Sequence, residues 1–310
     1  MLQLDKAEIA ARLPWPALVE ALRAMFVAGC QAPLRHRHPL TADGTLLLMP
    51  AVNETHSGVK IVHVAPGNTA RGQASVNAVY LLSEAVTGVP IALLDGGEIT
   101  DRRTAAASIL AARYLARPDA KRLLVIGSGK VAAALAEAYA ASFALEEVAI
   151  WSRRREKAEA LATRLAGHGV PARAVAELDP AGFDIVTAAT LSKEPLIRGA
   201  ALSPGTHVDL VGAFRADMRE TDGVALARAL VVVDTRVGGL AEAGDVVQAI
   251  AEGQISEADI AAELSELCKG RHPGRTSAEQ ITLFKSVGWA GEDLAAAILA
   301  TQGRGLAPAG

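Results

Sequence analysis

Residues 123–136 read LLVIGSGKVAAALA. The run Leu123–Ile126 is short and wholly apolar, as a strand buried on both faces of a sheet is. The alanine- and leucine-rich run after it favours a helix. Between them lies Gly127-x-Gly129-x-x-Ala132. Gly127 permits the tight turn, Gly129 lets the backbone approach a pyrophosphate, and Ala132 lets the helix pack close to the strand. The helix N-terminus then offers free N–H groups and its positive dipole end to the phosphates. Glycines at this spacing say little alone, but the strand–turn–helix setting makes them a dinucleotide site. Gly127, Ser128, Gly129, Lys130 and Val131 are the candidate residues of the turn.

Working outward from Lys121, strand-like and helix-like segments alternate. KRLLVIG (121–127), EVAIWS (147–152), DIVTAAT (184–190), THVDLVGA (206–213) and ALVVVD (229–234) read as strands; 130–144 and 155–167 read as helices. Such alternation predicts an α/β domain with a doubly wound parallel sheet of the Rossmann type. The second strand ends in Ser152-Arg153-Arg154, where an acid would hold the ribose hydroxyls of NAD. A serine and arginines suit a 2′-phosphate instead, so NADPH is the expected cofactor, with NADH possible. Ala189, Thr190, Val211 and Gly212, at the ends of the next two apolar runs, complete the candidate cofactor set.

The residues before Lys121 have a different rhythm. Residues 5–12 and 16–28 read as amphipathic helices. The runs at 35–40, 44–50, 57–66, 74–84 and 89–96 read as strands joined by turns at Asp43-Gly44, Pro66-Gly67-Asn68 and Thr87-Gly88. Short turns between consecutive strands imply a largely antiparallel sheet. A helix is expected over 98–116, stopped by Pro118, and another over 292–303, followed by a frayed end, GRGLAPAG.

The totals narrow the function classes. A chain of 310 residues has room for two domains. Hydrophobic residues make up 51% but aromatics only 4%, so the core is built from Ala, Val, Leu and Ile. A net charge of −3, with no basic run longer than Arg153-Arg154-Arg155, argues against nucleic acid as a partner. Cys30 and Cys268 stand far apart, and no metal-ligand spacing is present. The N-terminus carries Asp5 and Glu8 and does not read as a signal peptide, and no apolar span is long enough for a membrane. A soluble cytoplasmic protein is expected.

Candidate substrate groups lie in the first part. Lys60 interrupts the apolar strand GVKIVHV and should face away from Val59 and Ile61. A half-buried lysine has a lowered pKa and can donate a proton. Arg103 opens the run RTAAASILAA, and Arg35 sits in PLRHRHPL. Three converging cations would clamp a carboxylate, but spacing alone does not make them converge. Among His36, His38, His56, His63 and His207, His38 is the candidate pocket residue because it lies near Arg35; His207, inside a strand, reads as a packed residue.

These stretches resemble the ornithine cyclodeaminase/mu-crystallin family. The matching segments are PLR (33–35), LLMP (47–50), GVKIV (58–62), PGN (66–68), DRRTAAASILAARYLA (101–116), GSGKVA (127–132), DLVGAFRADMRE (209–220) and GRTSAEQITLFKSVGWAGEDLAA (274–296). The resemblance implies a homodimer. It implies a dinucleotide-binding Rossmann domain, residues 118–287, inserted into a mixed α+β substrate-binding and dimerisation domain, residues 1–117 plus 288–310. It also implies that Arg35, Lys60 and Arg103 bind the substrate carboxylate opposite the nicotinamide, with Lys60 and Arg103 as the catalytic candidates.

The family holds several activities, and DLVGAFRADMRETD (209–222) bears on the choice. The cyclodeaminases have an Asp after the glycine turn here, and the resemblance aligns Phe214 with it. A second cyclodeaminase acid aligns with Leu47. An ammonium entering a pocket without a carboxylate partner is costly to desolvate, whereas an apolar ring is not. The expected reaction is therefore NAD(P)H-dependent reduction of a cyclic imine carboxylate, Δ1-pyrroline-2-carboxylate or Δ1-piperideine-2-carboxylate, to L-proline or L-pipecolate. Phe214 and Met49 would pack on the ring. The alternatives are an ornithine cyclodeaminase, an alanine dehydrogenase, and a non-enzymatic NADPH-dependent ligand carrier like the crystallin branch. The charges after Phe214 read as a helix start, with Asp217 as N-cap and Glu220 three residues on.

Overall fold

A computed structural model describes residues 1–41 and 44–302, the side chain of Thr69 excepted. The turn expected at Asp43-Gly44 lies partly outside these residues, and the end expected to fray, 303–310, wholly outside them. The chain divides into two compact units: Met1–Arg103 with Trp289–Gly310, and Thr104–Gly288.

The first unit opens with strand β1 (Leu2–Leu4) and helices α1 (Lys6–Arg12) and α2 (Trp15–Ala28). Asp5 caps α1: its side chain accepts from Glu8 N at 2.9 Å, while Glu8 Oε2 accepts from Asp5 N at 3.0 Å. Strands β2 (His36–Pro39), β3 (Thr45–Val52), β4 (His56–Val64), β5 (Val76–Glu84) and β6 (Pro90–Asp95) follow, and then helix α3 (Gly96–Leu115), within which the two units divide. The six-stranded sheet has the order β1-β6-β5-β4-β3-β2. It is antiparallel except at β1–β6, a parallel pair that the sequence pattern did not suggest.

Alternation along these strands sorts the sheet into two faces. Leu47, Met49, Ala51, Lys60, Val62, Tyr80, Leu82, Ala92 and Leu94 are buried on one face. On the other, Leu46, Leu48, Val59, Ile61 and Leu81 are half-buried, and Val52 and Val79 are exposed.

The second unit continues with β7 (Arg122–Ile126), α4 (Lys130–Ser142), β8 (Glu147–Trp151), α5 (Arg155–Gly167), β9 (Ala172–Ala174), β10 (Ile185–Ala188) and β11 (His207–Leu210). Then come α6 (Gly223–Arg228), β12 (Ala229–Val233), α7 (Arg236–Glu242), α8 (Gly244–Ala251), β13 (Ile260–Glu263), α9 (Leu264–Cys268) and β14 (Ile281–Lys285). All eight strands run parallel, in the order β13-β12-β14-β11-β10-β7-β8-β9. The doubly wound α/β fold expected from the sequence is present. Strands β9, β13 and β14 were not anticipated, although β14 lies inside the sheet between β12 and β11. Helix α10 (Ala290–Thr301) belongs to the first unit, where it packs on α2 and on β3, β4 and β5. Trp289, just before it, packs tilted against Phe26 with ring centroids 4.9 Å apart.

Among the described residues no helix is long and apolar enough to cross a membrane.

Candidate functional site

In the first unit, β4 points Lys60 into the interior, where only 2% of it is exposed. Its Nζ donates to Asp293 Oδ1 at 2.8 Å and to Thr100 Oγ1 at 3.1 Å. Arg103, 5% exposed, donates from Nε to the same Asp293 Oδ1 at 2.9 Å and from Nη1 to Glu292 Oε2 at 2.7 Å. Two cations from distant parts of the sequence thus share one carboxylate oxygen. Arg35, half-buried, acts on Lys60 through its charge. Lys60 and Arg103, which spacing alone did not bring together, meet at Asp293.

The two acids come from the first turn of α10, where the helix dipole favours negative charge. Sequence reading passed over them because acids at a helix start usually face solvent. Glu292 and Asp293 are both fully buried. Burial drives Lys60 down to about 8, against the pull of Asp293; Arg103 and Arg35 push it the same way as burial. Burial would raise the Asp293 carboxyl, but Arg103 and Lys60 outweigh it and hold it below the usual range. Arg103 is raised: burial opposes its charge, and Asp293 and Glu292 overcome that. Lys60 is therefore an ammonium at neutral pH that loses its proton near pH 8. Its lowered pKa costs stability below that pH, and stability rises with pH from about 8 towards the unfolded lysine value.

Tyr80 pairs with Lys60 across β4 and β5. Its hydroxyl and Asp293 Oδ2 are buried and have no hydrogen-bond partner among the described residues. Met49 pairs with Lys60 across β3 and β4, and Leu47 is buried on the same face, so the wall beside the cations is apolar. His38 is a correction. It pairs with Leu46, whose side chain is on the outer face. Cross-strand partners share a face, so His38 stands exposed on the face opposite Lys60, and Arg37, the partner of Leu47, stands on the Lys60 face. Nearness to Arg35 in sequence did not fix this parity; the β2–β3 register did.

In the second unit the glycine turn has the shape that a dinucleotide needs. Gly127 has φ +128°, and a Cβ there would lie 2.6 Å from the Ala189 carbonyl oxygen. Gly129 is the N-cap of α4, which has no side-chain cap; a Cβ on Gly129 would meet nothing within 4 Å. Bare backbone and uncapped first-turn N–H groups, that of Lys130 and Val131 included, suit a pyrophosphate. Ser128 Oγ and Ser152 Oγ lie 3.0 Å apart, joining the turn to the end of β8. Arg153 and Arg154 are exposed beside it, and Arg154 is the N-cap of α5.

The ends of β10 and β11 are tied by a residue assigned otherwise from sequence. Glu220 is fully buried, not the third residue of a helix. Its Oε1 accepts from Thr190 N at 2.6 Å and Thr190 Oγ1 at 2.8 Å, and its Oε2 accepts from Gly212 N at 2.8 Å. Burial raises its carboxyl, and Lys285 opposes this. Asp245 Oδ1 in turn accepts from Glu220 N at 2.7 Å, and Lys285 Nζ lies 3.1 Å from Asp245 Oδ2. Ala189 N and Val211 N bond to Ile126 O at 2.9 Å and Ala188 O at 3.0 Å, holding the same ends to the sheet. Among the described residues Asp217 caps no helix. It is exposed and pairs with Arg215 at 2.9 Å and Lys193 at 3.0 Å, and the helix start belongs to Asp222, which accepts from Ala225 N at 3.1 Å. Phe214, half-buried, packs on the apolar core of the second unit. Among the described residues no group of three or more His, Cys, Asp or Glu is placed to hold a metal ion.

The sequence profile of the ornithine cyclodeaminase/mu-crystallin family matches residues 6–302. A Δ1-pyrroline-2-carboxylate reductase of Paracoccus denitrificans is 38% identical over 295 residues, covering 94% of this chain and 93% of its own. Among solved structures, the Thermococcus litoralis Δ1-pyrroline-2-carboxylate reductase in complex with NADH and L-proline superposes with a TM-score of 0.93 at 34% identity, covering 97% of both chains. An archaeal alanine dehydrogenase dimer with bound NAD superposes with a TM-score of 0.91 at 29% identity, covering 97% of this chain and 95% of its own. The chain belongs to the ornithine cyclodeaminase/mu-crystallin family.

Proposed function

We propose that the chain reduces a cyclic imine carboxylate, Δ1-pyrroline-2-carboxylate or its six-membered homologue, to L-proline or L-pipecolate with NAD(P)H. The observation that carries this reading is the shared carboxylate of Lys60 and Arg103, which holds two buried cations together beside an apolar wall. The reductase relatives, one of them bound to NADH and L-proline, support it.

When bound, the nicotinamide cofactor supplies the hydride to the imine carbon. Arg103 and Arg35 bind the substrate carboxylate, and the guanidinium fork fixes its orientation. Lys60, an ammonium below about pH 8, donates the proton that makes the imine nitrogen electron-poor. Leu47 and Met49 offer the ring an apolar surface, and Leu47 gives a diamine no carboxylate. Gly127, Ser128, Gly129, Lys130 and Val131 hold the pyrophosphate; Ser152, Arg153 and Arg154 the 2′-phosphate; Ala189, Thr190, Val211 and Gly212 the rest of the cofactor. In this reading residues 118–287 are the dinucleotide domain, and residues 1–117 with 288–310 bind substrate and form a homodimer. The half-buried apolar outer face of the six-stranded sheet supports the dimer, which sedimentation of the purified protein would measure.

The test is oxidation of NADPH, then NADH, by Δ1-pyrroline-2-carboxylate, with proline identified as the product. Rapid oxidation is expected. No oxidation with either cofactor, and ammonia released from L-ornithine instead, would overturn the reading. In the same assay Arg153→Ala/Arg154→Ala should lower the NADPH-over-NADH preference by about tenfold or more, since a hydrogen bond to a charged group is worth about 1.5–3 kcal/mol. An unchanged ratio would remove these arginines from the cofactor site.

A further inference from the structure

We propose that Asp293 is a positioning residue for the reaction: its one carboxylate oxygen holds Lys60 and Arg103 in one arrangement and supplies the negative charge that favours the Lys60 ammonium. The kinetic part of this inference rests on the imine-reductase reading; the arrangement itself does not.

The groups around Lys60 can be taken element by element. From α10, Asp293 Oδ1 accepts its proton at 2.8 Å. From α3, Thr100 Oγ1 accepts at 3.1 Å, and Arg103 presents a positive charge. The segment before β2 presents a second positive charge, Arg35. From β3 comes Met49, uncharged, and from β5 comes Tyr80. Glu292 is occupied by Arg103 Nη1 at 2.7 Å. Asp293 is thus the one acid bonded to Lys60 among the described residues.

The two cations depend on Asp293 unequally. Without its charge, Arg103 would keep Glu292, and a guanidinium stays protonated in any case. Lys60, 2% exposed, would keep only a neutral hydroxyl, with positive charge beside it. A buried ammonium in that setting gives up its proton. The loss therefore falls on Lys60, and it has a pH signature that simple loosening of the fold would not produce.

The experiment follows the Lys60 amine directly, by 15N NMR titration of lysine-labelled protein without substrate, with Lys60→Met used to assign the signal. In parallel, kcat/KM for Δ1-pyrroline-2-carboxylate is measured against pH in wild type and Asp293→Asn. The wild-type amine should titrate near pH 8. In D293N the midpoint should fall by about one pH unit or more, and the alkaline limb of kcat/KM should move with it. The variant should recover most at the acid end, where Lys60 regains its proton, so the ratio of wild-type to variant kcat/KM should grow with pH.

A midpoint in D293N within about 0.3 units of wild type, less than a group losing its ion partner shows, would overturn the proposal, as would a loss of activity equal at every pH. Asp293→Ser is a second uncharged variant that leaves room for water, and whichever of the two folds decides the matter. If the wild-type protein fails to reduce the imine, the reading of function is lost, while the NMR midpoint still decides the role of Asp293.

Discussion

Arg103→Ala loses kcat/KM for the imine by about a hundredfold or more, and also loses stability, by about 3–5 kcal/mol. The two losses have one cause. Arg103 bonds to both Glu292 and Asp293, and both acids are fully buried. Removing the guanidinium takes from Glu292 the charge that Nη1 provided and takes from Asp293 one of its two cations. Buried charges stripped of a partner cost far more than an exposed ion pair ever contributes. On the substrate side, the carboxylate loses the planar fork that orients the ring for hydride transfer, so KM rises and kcat falls. Arg103→Lys separates the two effects. It restores a positive charge to the acids but not the fork, so stability should return further than kcat/KM does. The checks are urea denaturation of the three proteins beside steady-state kinetics. A variant R103A that is as stable as wild type would contradict the burial of the cluster. One that keeps wild-type kcat/KM would remove Arg103 from the substrate site.

How much of this was legible in the sequence depended on whether a local rule governed it. The β7 strand, its glycine turn and α4 follow from short-range chemistry, and α5 begins and ends where its composition changes, at Arg155 and Gly167. Strand alternation puts Lys60 on the face opposite Val59 and Ile61, but does not decide which of the two faces is buried. Where long-range pairing decides, the sequence was silent or misleading. β14 looks like a short apolar run ending in a lysine, yet it is an inner strand, and its Lys285 is buried beside Asp245. Glu220 resembles a helix-start acid but bridges two loops through Thr190 and Gly212. Glu292 and Asp293 resemble surface acids, and only their meeting with Lys60 and Arg103, far away in sequence, makes them part of a site. His38 was misplaced by one step of parity, which only the pairing register fixes.

The two glycines of the dinucleotide turn should fail in different ways when given a methyl group. Gly127→Ala meets two obstacles. Its φ of +128° is a conformation that L side chains rarely adopt, and the new Cβ would lie 2.6 Å from the carbonyl oxygen of Ala189. Strain of this kind costs about 1–3 kcal/mol before the clash is counted. Ala189 cannot yield cheaply. Its N–H is bonded to Ile126 O at 2.9 Å, and the next residue, Thr190, is held by buried Glu220 through two hydrogen bonds of 2.6 and 2.8 Å. The turn must therefore distort, so Gly127→Ala should lose both stability and NADPH affinity, the latter by about a hundredfold or more, as expected when a built binding geometry shifts by an ångström. Gly129→Ala meets neither obstacle: its backbone is extended at φ −80°, and its Cβ would point into open space. Its stability should stay within about 1 kcal/mol of wild type, the cost of alanine at a helix N-cap. The same open space is where the pyrophosphate is proposed to approach, so its NADPH affinity should still fall by about tenfold or more, as for a lost close approach to phosphate. Thermal melts of the free proteins and NADPH fluorescence titrations read the two quantities separately. Gly129→Ala binding NADPH as tightly as wild type would show that the phosphates do not lie over this turn, whatever Gly127→Ala does to the fold.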